Sequence, residues 1–223
     1  MADMFEILDR MIGVGPDGRL SGDGPHFHIF RTPVRSVVRC HPGLGDDLAA
    51  DLARLAARER GRPSAWAREY GDYLRVLGAV GPVAAVRAGP LYVAASAPPG
   101  GDEAVRITSD NADLLHGGLD EWLPDVAAGA LMFAALADGR AAAVCASVSA
   151  WDAAHVAGVE TAPAQRGKGM ASRAAAAWAG AVLRLGATPV YGTTFDNLAS
   201  QGVARRLGMQ LVGSEFSVTL DLG

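Results

Sequence analysis

Residues 155–186 read HVAGVETAPAQRGKGMASRAAAAWAGAVLRLG, and this one stretch lays out a strand, a glycine-rich loop and a helix. His155 to Thr161 has strand character, and Pro163 ends it because proline cannot donate to a ladder. Met170 to Leu185 is alanine-rich and helical, with Gly186 as its stop. Between them lies Ala164-Gln165-Arg166-Gly167-Lys168-Gly169. The first N–H groups of a helix have no partner inside it, and the helix dipole adds partial positive charge there. Glycines let a ligand approach the backbone, and Arg166 and Lys168 add full charges. The matching ligand is a phosphate or pyrophosphate.

Two common phosphate loops do not fit. A Walker loop needs G-x-x-x-x-G-K-[ST], but Lys168 is followed by Gly169. A dinucleotide fingerprint needs a third glycine where Ser172 stands. Arg166-Gly167-Lys168-Gly169-Met170-Ala171 instead resembles the Q/R-x-x-G-x-G/A loop of the GCN5-related N-acetyltransferase (GNAT) superfamily. A second register, Ala164 to Gly169, shares Gly167 and Gly169. Downstream, TFDNLASQGVARRLGM at 194–209 resembles the same superfamily's Asn-x-x-Ser helix motif. Two motifs in order, about 30 residues apart, are more specific than either alone. The resemblance covers residues 104–220.

The resemblance implies an α/β fold with a mixed, mostly antiparallel twisted sheet and flanking helices, and acetyl-CoA as co-substrate. It implies that the strand 155–161 splays from its parallel neighbour and pairs its backbone with the pantetheine arm, with Val159, Glu160 and Thr161 nearest the thioester. The N–H groups of Arg166, Gly167, Lys168, Gly169, Met170 and Ala171 would hold the pyrophosphate. Asn197 and Ser200 would approach the pantetheine arm, with a helix N-cap as the plainer role for Asn197. Arg205 and Arg206 stand either near the 3′-phosphate or as ordinary charge complementarity at a helix C-terminus.

Acetyl transfer to an amine needs a base, because an ammonium has no lone pair with which to attack. Glu160 is the candidate: by alternation it shares a strand face with Val156 and Gly158, one residue before the strand end. Substrate anchoring is the alternative duty for its carboxylate. Many relatives use a tyrosine on the helix after the second motif as the acid, and here Val203, Ala204, Arg205 and Arg206 occupy that region. Tyr191 and Ser200 are the substitutes, with wall or core packing the plainer reading of Tyr191. The expected function is N-acetylation of a small-molecule primary amine by direct transfer in a ternary complex. A non-catalytic acyl-CoA sensor is the rival, kept open by the missing tyrosine.

The rest of the chain bounds the problem. Of 223 residues 43 are alanine, and the 20 basic residues comprise 19 arginines and the single Lys168, so that lysine stands out in the loop. A net charge of −4 without a basic tract argues against nucleic-acid binding. Two cysteines, Cys40 and Cys145, cannot make a disulfide framework. The N-terminus has acidic residues where a signal peptide needs basic ones, and no apolar stretch approaches the ~20 residues of a membrane span. A cytoplasmic protein is expected, with no membrane partner; a homodimer is compatible with the sequence.

APPGGDE at 97–103 has loop chemistry and sets a soft boundary. Residues 1–100 form an α+β region, a lid or a degenerate copy of the same fold, and 101–223 the transferase domain. Strands are expected at His26–Arg31, Arg35–Cys40, Val83–Arg87 and Pro90–Ala95, and helices at Asp46–Arg60, Ser64–Leu77 (with Ser64 as N-cap) and Asp110–Trp122. Asp138-Gly139 is a hairpin turn. His26, His28, Cys40 and His41 invite a metal reading, but no third ligand has the spacing, so no metal is expected. Trp66, Trp122, Trp151 and Trp178 are read as core or pocket wall.

Overall fold

The computed structural model describes residues 4–22, 24–59, 67 and 69–222. In chain order its elements are α1 (Met4–Met11), β1 (Phe27–Arg31), β2 (Ser36–Cys40), α2 (Asp46–Ala56), α3 (Tyr70–Gly78), β3 (Val83–Val93), β4 (Ala104–Ile107), α4 (Leu123–Ala127), β5 (Met132–Ala137), β6 (Arg140–Trp151), β7 (Ala154–Thr161), α5 (Met170–Arg184), β8 (Thr188–Gly192), α6 (Leu198–Arg206) and β9 (Gln210–Leu220). They fall into two compact units. Residues 92–192 and 199–210 make one; residues 2–91, 193–198 and 211–223 make the other.

In the first unit the strand order is β8-β7-β6-β5-β4. Pairing is antiparallel from β4 to β7 and parallel between β7 and β8. This is the mixed, mostly antiparallel sheet of the expected class. The parallel pair requires a crossover, which α5 supplies. Helix α5 buries Ala174, Ala175, Ala176 and Ala179 against β5, β6 and β7, and the small side chains bring helix and sheet close. Trp178, fully buried, fills the remaining space. The opposite face is covered by Leu115, Leu119, Trp122 and Val126, which pack on Met132, Ala134, Val144 and Ala146. Successive strand residues face opposite ways. Ala157 and Val159 pack in the α5 layer, so Gly158 and Glu160 face the Trp122 layer.

The second unit has the order β2-β1-β9-β3. Its core joins Phe27, Leu52, Tyr73, Leu77, Phe216 and Val218 from two helices and the sheet. The rings of Phe27 and Tyr73 lie 4.9 Å apart. A buried ion pair, Arg31 with Glu59 at 3.5 Å, sits in this unit, and Arg31 also donates to the Ser214 hydroxyl.

Several local expectations are corrected. Asp110–Trp122 is not one helix but a 3-10 stretch at Ser109–Leu115, a second at Asp120–Trp122, and then α4. The Asp120 carboxylate accepts from the Gly117 and Gly118 N–H groups and pairs with His116, closing a turn where helix would have continued. Residues 83–95 hold a single strand, β3, across Gly89-Pro90. There the backbone comes so close to Thr193 that a Cβ on Gly89 would fall 1.7 Å from its carbonyl oxygen. The helix expected from Ser64 runs from Tyr70; Ser64 and Trp66 lie outside the described residues, as does Arg60 at the end of the helix expected from Asp46. Among the described residues no helix is long and apolar enough to cross a membrane.

The histidines of the second unit are used locally. His26 Nδ1 accepts from the Leu220 N–H, His41 Nδ1 accepts from the Gly43 N–H, and His28 meets Glu215 at 3.4 Å. Among the described residues no three His, Cys, Asp or Glu side chains cluster as a metal site.

Candidate active site

The loop after β7 is built as its sequence suggests. Residues Pro163–Gln165 form one 3-10 turn, Gly167 and Gly169 take left-handed φ of 77° and 80°, and α5 starts at Met170. These angles are easy only for glycine. A Cβ at either position would meet nothing within 4 Å, so the left-handed backbone and not crowding is what calls for glycine. Among the described residues no acceptor pairs with the N–H groups of Gly167, Lys168, Gly169, Met170 or Ala171. Five outward donors with Arg166 and Lys168 beside them suit a pyrophosphate. Arg166 Nε donates to the Thr161 carbonyl at 3.4 Å and Lys168 Nζ to the Gln165 side chain at 2.9 Å, and among the described residues no carboxylate pairs with either. Arg206, at the end of α6, donates to the Ser172 hydroxyl at 2.8 Å in the first turn of α5.

The strand leading into that loop parts from its neighbour. The parallel ladder pairs Ala154–Val156 with Thr188–Val190 and goes no further. Strand β7 then runs five residues more, still paired to β6 with Val159 opposite Cys145 and Thr161 opposite Ala143. Its other edge therefore offers unladdered backbone groups at Val159 and Thr161, because in an antiparallel pair alternate residues turn theirs away from the partner strand.

Glu160 projects from that edge toward the face opposite α5. Its Oε2 accepts from the Trp122 indole N–H at 2.9 Å. Tyr191 projects into the α5 layer, where it is buried, and its hydroxyl lies 2.8 Å from the Ser200 Oγ of α6. Burial pushes the Tyr191 phenol up to about 12, against a smaller opposing effect of the Ser200 bond. The structure thus joins Tyr191 to Ser200 and gives Glu160 a different partner. Asn197 is exposed, immediately before α6, with its N–H donating to the Thr194 carbonyl. Cys145 is wholly buried, which holds its thiol protonated far above neutrality and removes it as a nucleophile.

The partner of Glu160 was not legible in the sequence, because Trp122 is 38 residues away and carries no motif. A second unanticipated network lies deeper. The Trp178 indole donates to Ser147 Oγ at 2.9 Å, and Ser147 Oγ lies 2.7 Å from His155 Nδ1. The indole can only donate, so the Ser147 hydroxyl oxygen accepts from it and bridges Trp178 to His155.

Burial lowers the His155 imidazole below its ordinary value. The unfolded chain then binds the proton more tightly than the folded one. Stability is full above about pH 6.5 and falls as pH drops from there toward the lower folded value. Urea midpoints between pH 5 and 8 should show this acid-side loss in the wild type and a smaller one in His155→Asn. Identical profiles would transfer the effect to other groups, such as His26, which burial and His41 also lower.

Comparison with known proteins agrees with this geometry. A family profile described as GNAT acetyltransferase matches residues 125–215. No curated protein sequence matches the chain. Among solved structures, one described as an acetyltransferase of the GNAT family from Novosphingobium aromaticivorans is 17% identical with a TM-score of 0.51, covering 64% of this chain and 68% of that one. A GCN5-related N-acetyltransferase-like protein from Streptococcus suis is 16% identical with a TM-score of 0.49, over 97% of this chain and 100% of that one. An aminoglycoside N-acetyltransferase in complex with CoA is 22% identical with a TM-score of 0.39, over 49% of this chain and 92% of that one. The segment from 125 to 215, which holds the glycine loop and the start of α5, is thus similar to GNAT acetyltransferases.

Proposed function

We propose that this protein moves an acetyl group from acetyl-CoA to the primary amine of a small molecule, directly and without an acyl-enzyme. The observation that carries the reading is the parting of β7 from β8 after Val156, with the free edge of β7 running into the left-handed glycine loop. Val159 and Thr161 would bond the pantetheine arm through their backbone, and Gly167 to Ala171 would take the pyrophosphate on their N–H groups. Ser200 completes the cofactor contacts in this reading. Bound acetyl-CoA supplies an activated thioester.

Glu160 takes a proton from the substrate ammonium. The nitrogen lone pair this frees forms the new C–N bond at the acetyl carbonyl as the C–S bond breaks and its electrons stay on sulfur; the second N–H proton then passes from nitrogen to that thiolate, leaving the neutral amide and the CoA thiol. Ser200, backed by Tyr191, gives that sulfur a hydrogen bond. A thiol titrates near 8.5 and the buried phenol near 12, so full transfer from Tyr191 is uphill by about 5 kcal/mol. In this reading the pair stabilises a departing thiolate by hydrogen bonding, in place of a tyrosine on α6.

Calorimetric titration with acetyl-CoA, ATP and NAD, followed by thiol-release assays over a panel of amines, tests the reading. Acetyl-CoA alone should bind, and Gly169→Val should weaken it at least about tenfold by forcing a branched residue to positive φ at the cradle. Binding of ATP or NAD in place of acetyl-CoA overturns the cofactor. Binding without thiol release from any amine favours a sensor.

A further inference from the structure

Resting on the reading of Glu160 as the base, we propose that Trp122 is its positioning residue: the indole N–H fixes Oε2 and leaves Oε1 to take the proton. Three observations converge on the pair. The Nε1 to Oε2 distance is 2.9 Å, a normal charge-assisted bond. Among the described residues Oε1 has no partner in the chain, so one oxygen is pinned and the other is available. The indole itself is wedged in place. A Cβ on Gly158 would fall 2.8 Å from the Trp122 ring and 2.3 Å from the Val148 Cγ1, so ring and methyl occupy the space that the missing side chain vacates.

The local structure serves this placement. Val148 is the extra residue of a bulge in β6, where the register passes from Ser147–Ala157 to Ser149–Val156. The bulge turns Val148 over Gly158, beside the indole. On the other side, Trp122 closes the 3-10 turn Asp120–Trp122, and the Asp120 carboxylate ties that turn to Gly117, Gly118 and His116. A carboxylate on a strand end has free χ angles; a donor held from both sides removes that freedom. The proton step itself is unchanged: the ammonium N–H bond breaks, the proton goes to Oε1, and the electron pair remains on nitrogen.

The experiment compares wild type, Trp122→Phe, Glu160→Gln and the double variant in the full-length protein, with acetyl-CoA and an accepted amine. Phenylalanine keeps one aromatic ring at the position and removes the donor, together with the outer ring edge that meets Gly158. Trp122→Phe should lower kcat about tenfold, as expected for a lost hydrogen bond to a charged group, with KM for acetyl-CoA unchanged. Because Trp122 acts through Glu160, the double variant should be no slower than Glu160→Gln. An unchanged kcat in Trp122→Phe, or a further tenfold loss in the double variant, overturns the proposal.

If Glu160→Gln keeps full kcat, the base reading falls and this proposal with it. An inactive Glu160→Gln beside a fully active Trp122→Phe overturns the proposal alone. A readout that needs neither an acceptor nor a Trp122 variant is the indole N–H resonance, assigned through bonds in labelled wild-type protein. It should move in Glu160→Gln, and a stationary peak overturns the bond.

Discussion

Glu160→Gln lowers kcat by about 100- to 10,000-fold while the dissociation constant for acetyl-CoA stays within about twofold of wild type. The lower figure is what a positioned general base contributes at least, and the upper what it contributes at most. The amide keeps the size of the side chain and, through its carbonyl oxygen, can still accept from the Trp122 indole, so the variant removes proton affinity and little else. Stopped assays of thiol release, run beside calorimetric titration, separate the two quantities. A loss of affinity equal to the loss of rate would mean that Glu160 holds the site together and does not take the proton. A rise confined to KM for the amine would make it a substrate anchor.

The largest effect on stability is expected at Trp178. Its side chain is fully buried at the centre of the α5 layer, among alanines that cannot expand to fill a void. Trp178→Ala removes the transfer free energy of the ring and leaves a cavity, a loss of about 3–5 kcal/mol. Losing its bond to Ser147 adds about 1 kcal/mol, so packing dominates. Trp178→Phe separates the two contributions, because it keeps most of the volume and loses the donor. For a chain of this size the alanine variant should melt about 10 °C lower. Amide exchange in α5 gives a local readout that does not assume one cooperative transition. Equal losses in Phe and Ala variants would shift the weight from packing to the hydrogen bond.

The parts of the site that were legible are those whose geometry closes within a few residues. Gly167 and Gly169 at a helix start demand left-handed backbone and exposed donors, and the structure has both. The strand before the loop and the helix after it fall within a residue of their sequence limits. Where local reading failed, another part of the chain competed for the same backbone groups or occupied the same space. Leu114, Leu115, Leu119 and Trp122 have helical spacing, but Asp120 captures the Gly117 and Gly118 N–H groups and the chain turns instead. Gly89-Pro90 looks like a break, yet the strand continues, with the Ala88 and Pro90 carbonyls accepting from the Phe195 and Thr193 N–H groups.

The sequence by itself determined the strand, the phosphate-type loop and the helix of residues 155–186, because turn angles and helix-end donors depend only on near neighbours. It also determined that Glu160 would share a face with Gly158, since alternation is a property of any strand. Only the tertiary structure decided what stands on that face. The indole of Trp122, the pairing of Tyr191 with Ser200 and the joining of Trp178 to His155 through Ser147 each link separate elements. So does the register of β9 against β1, with Phe216 opposite Ile29 and Val218 opposite Phe27. Such pairings are chosen by which faces can be buried together, and no spacing along the chain encodes that choice.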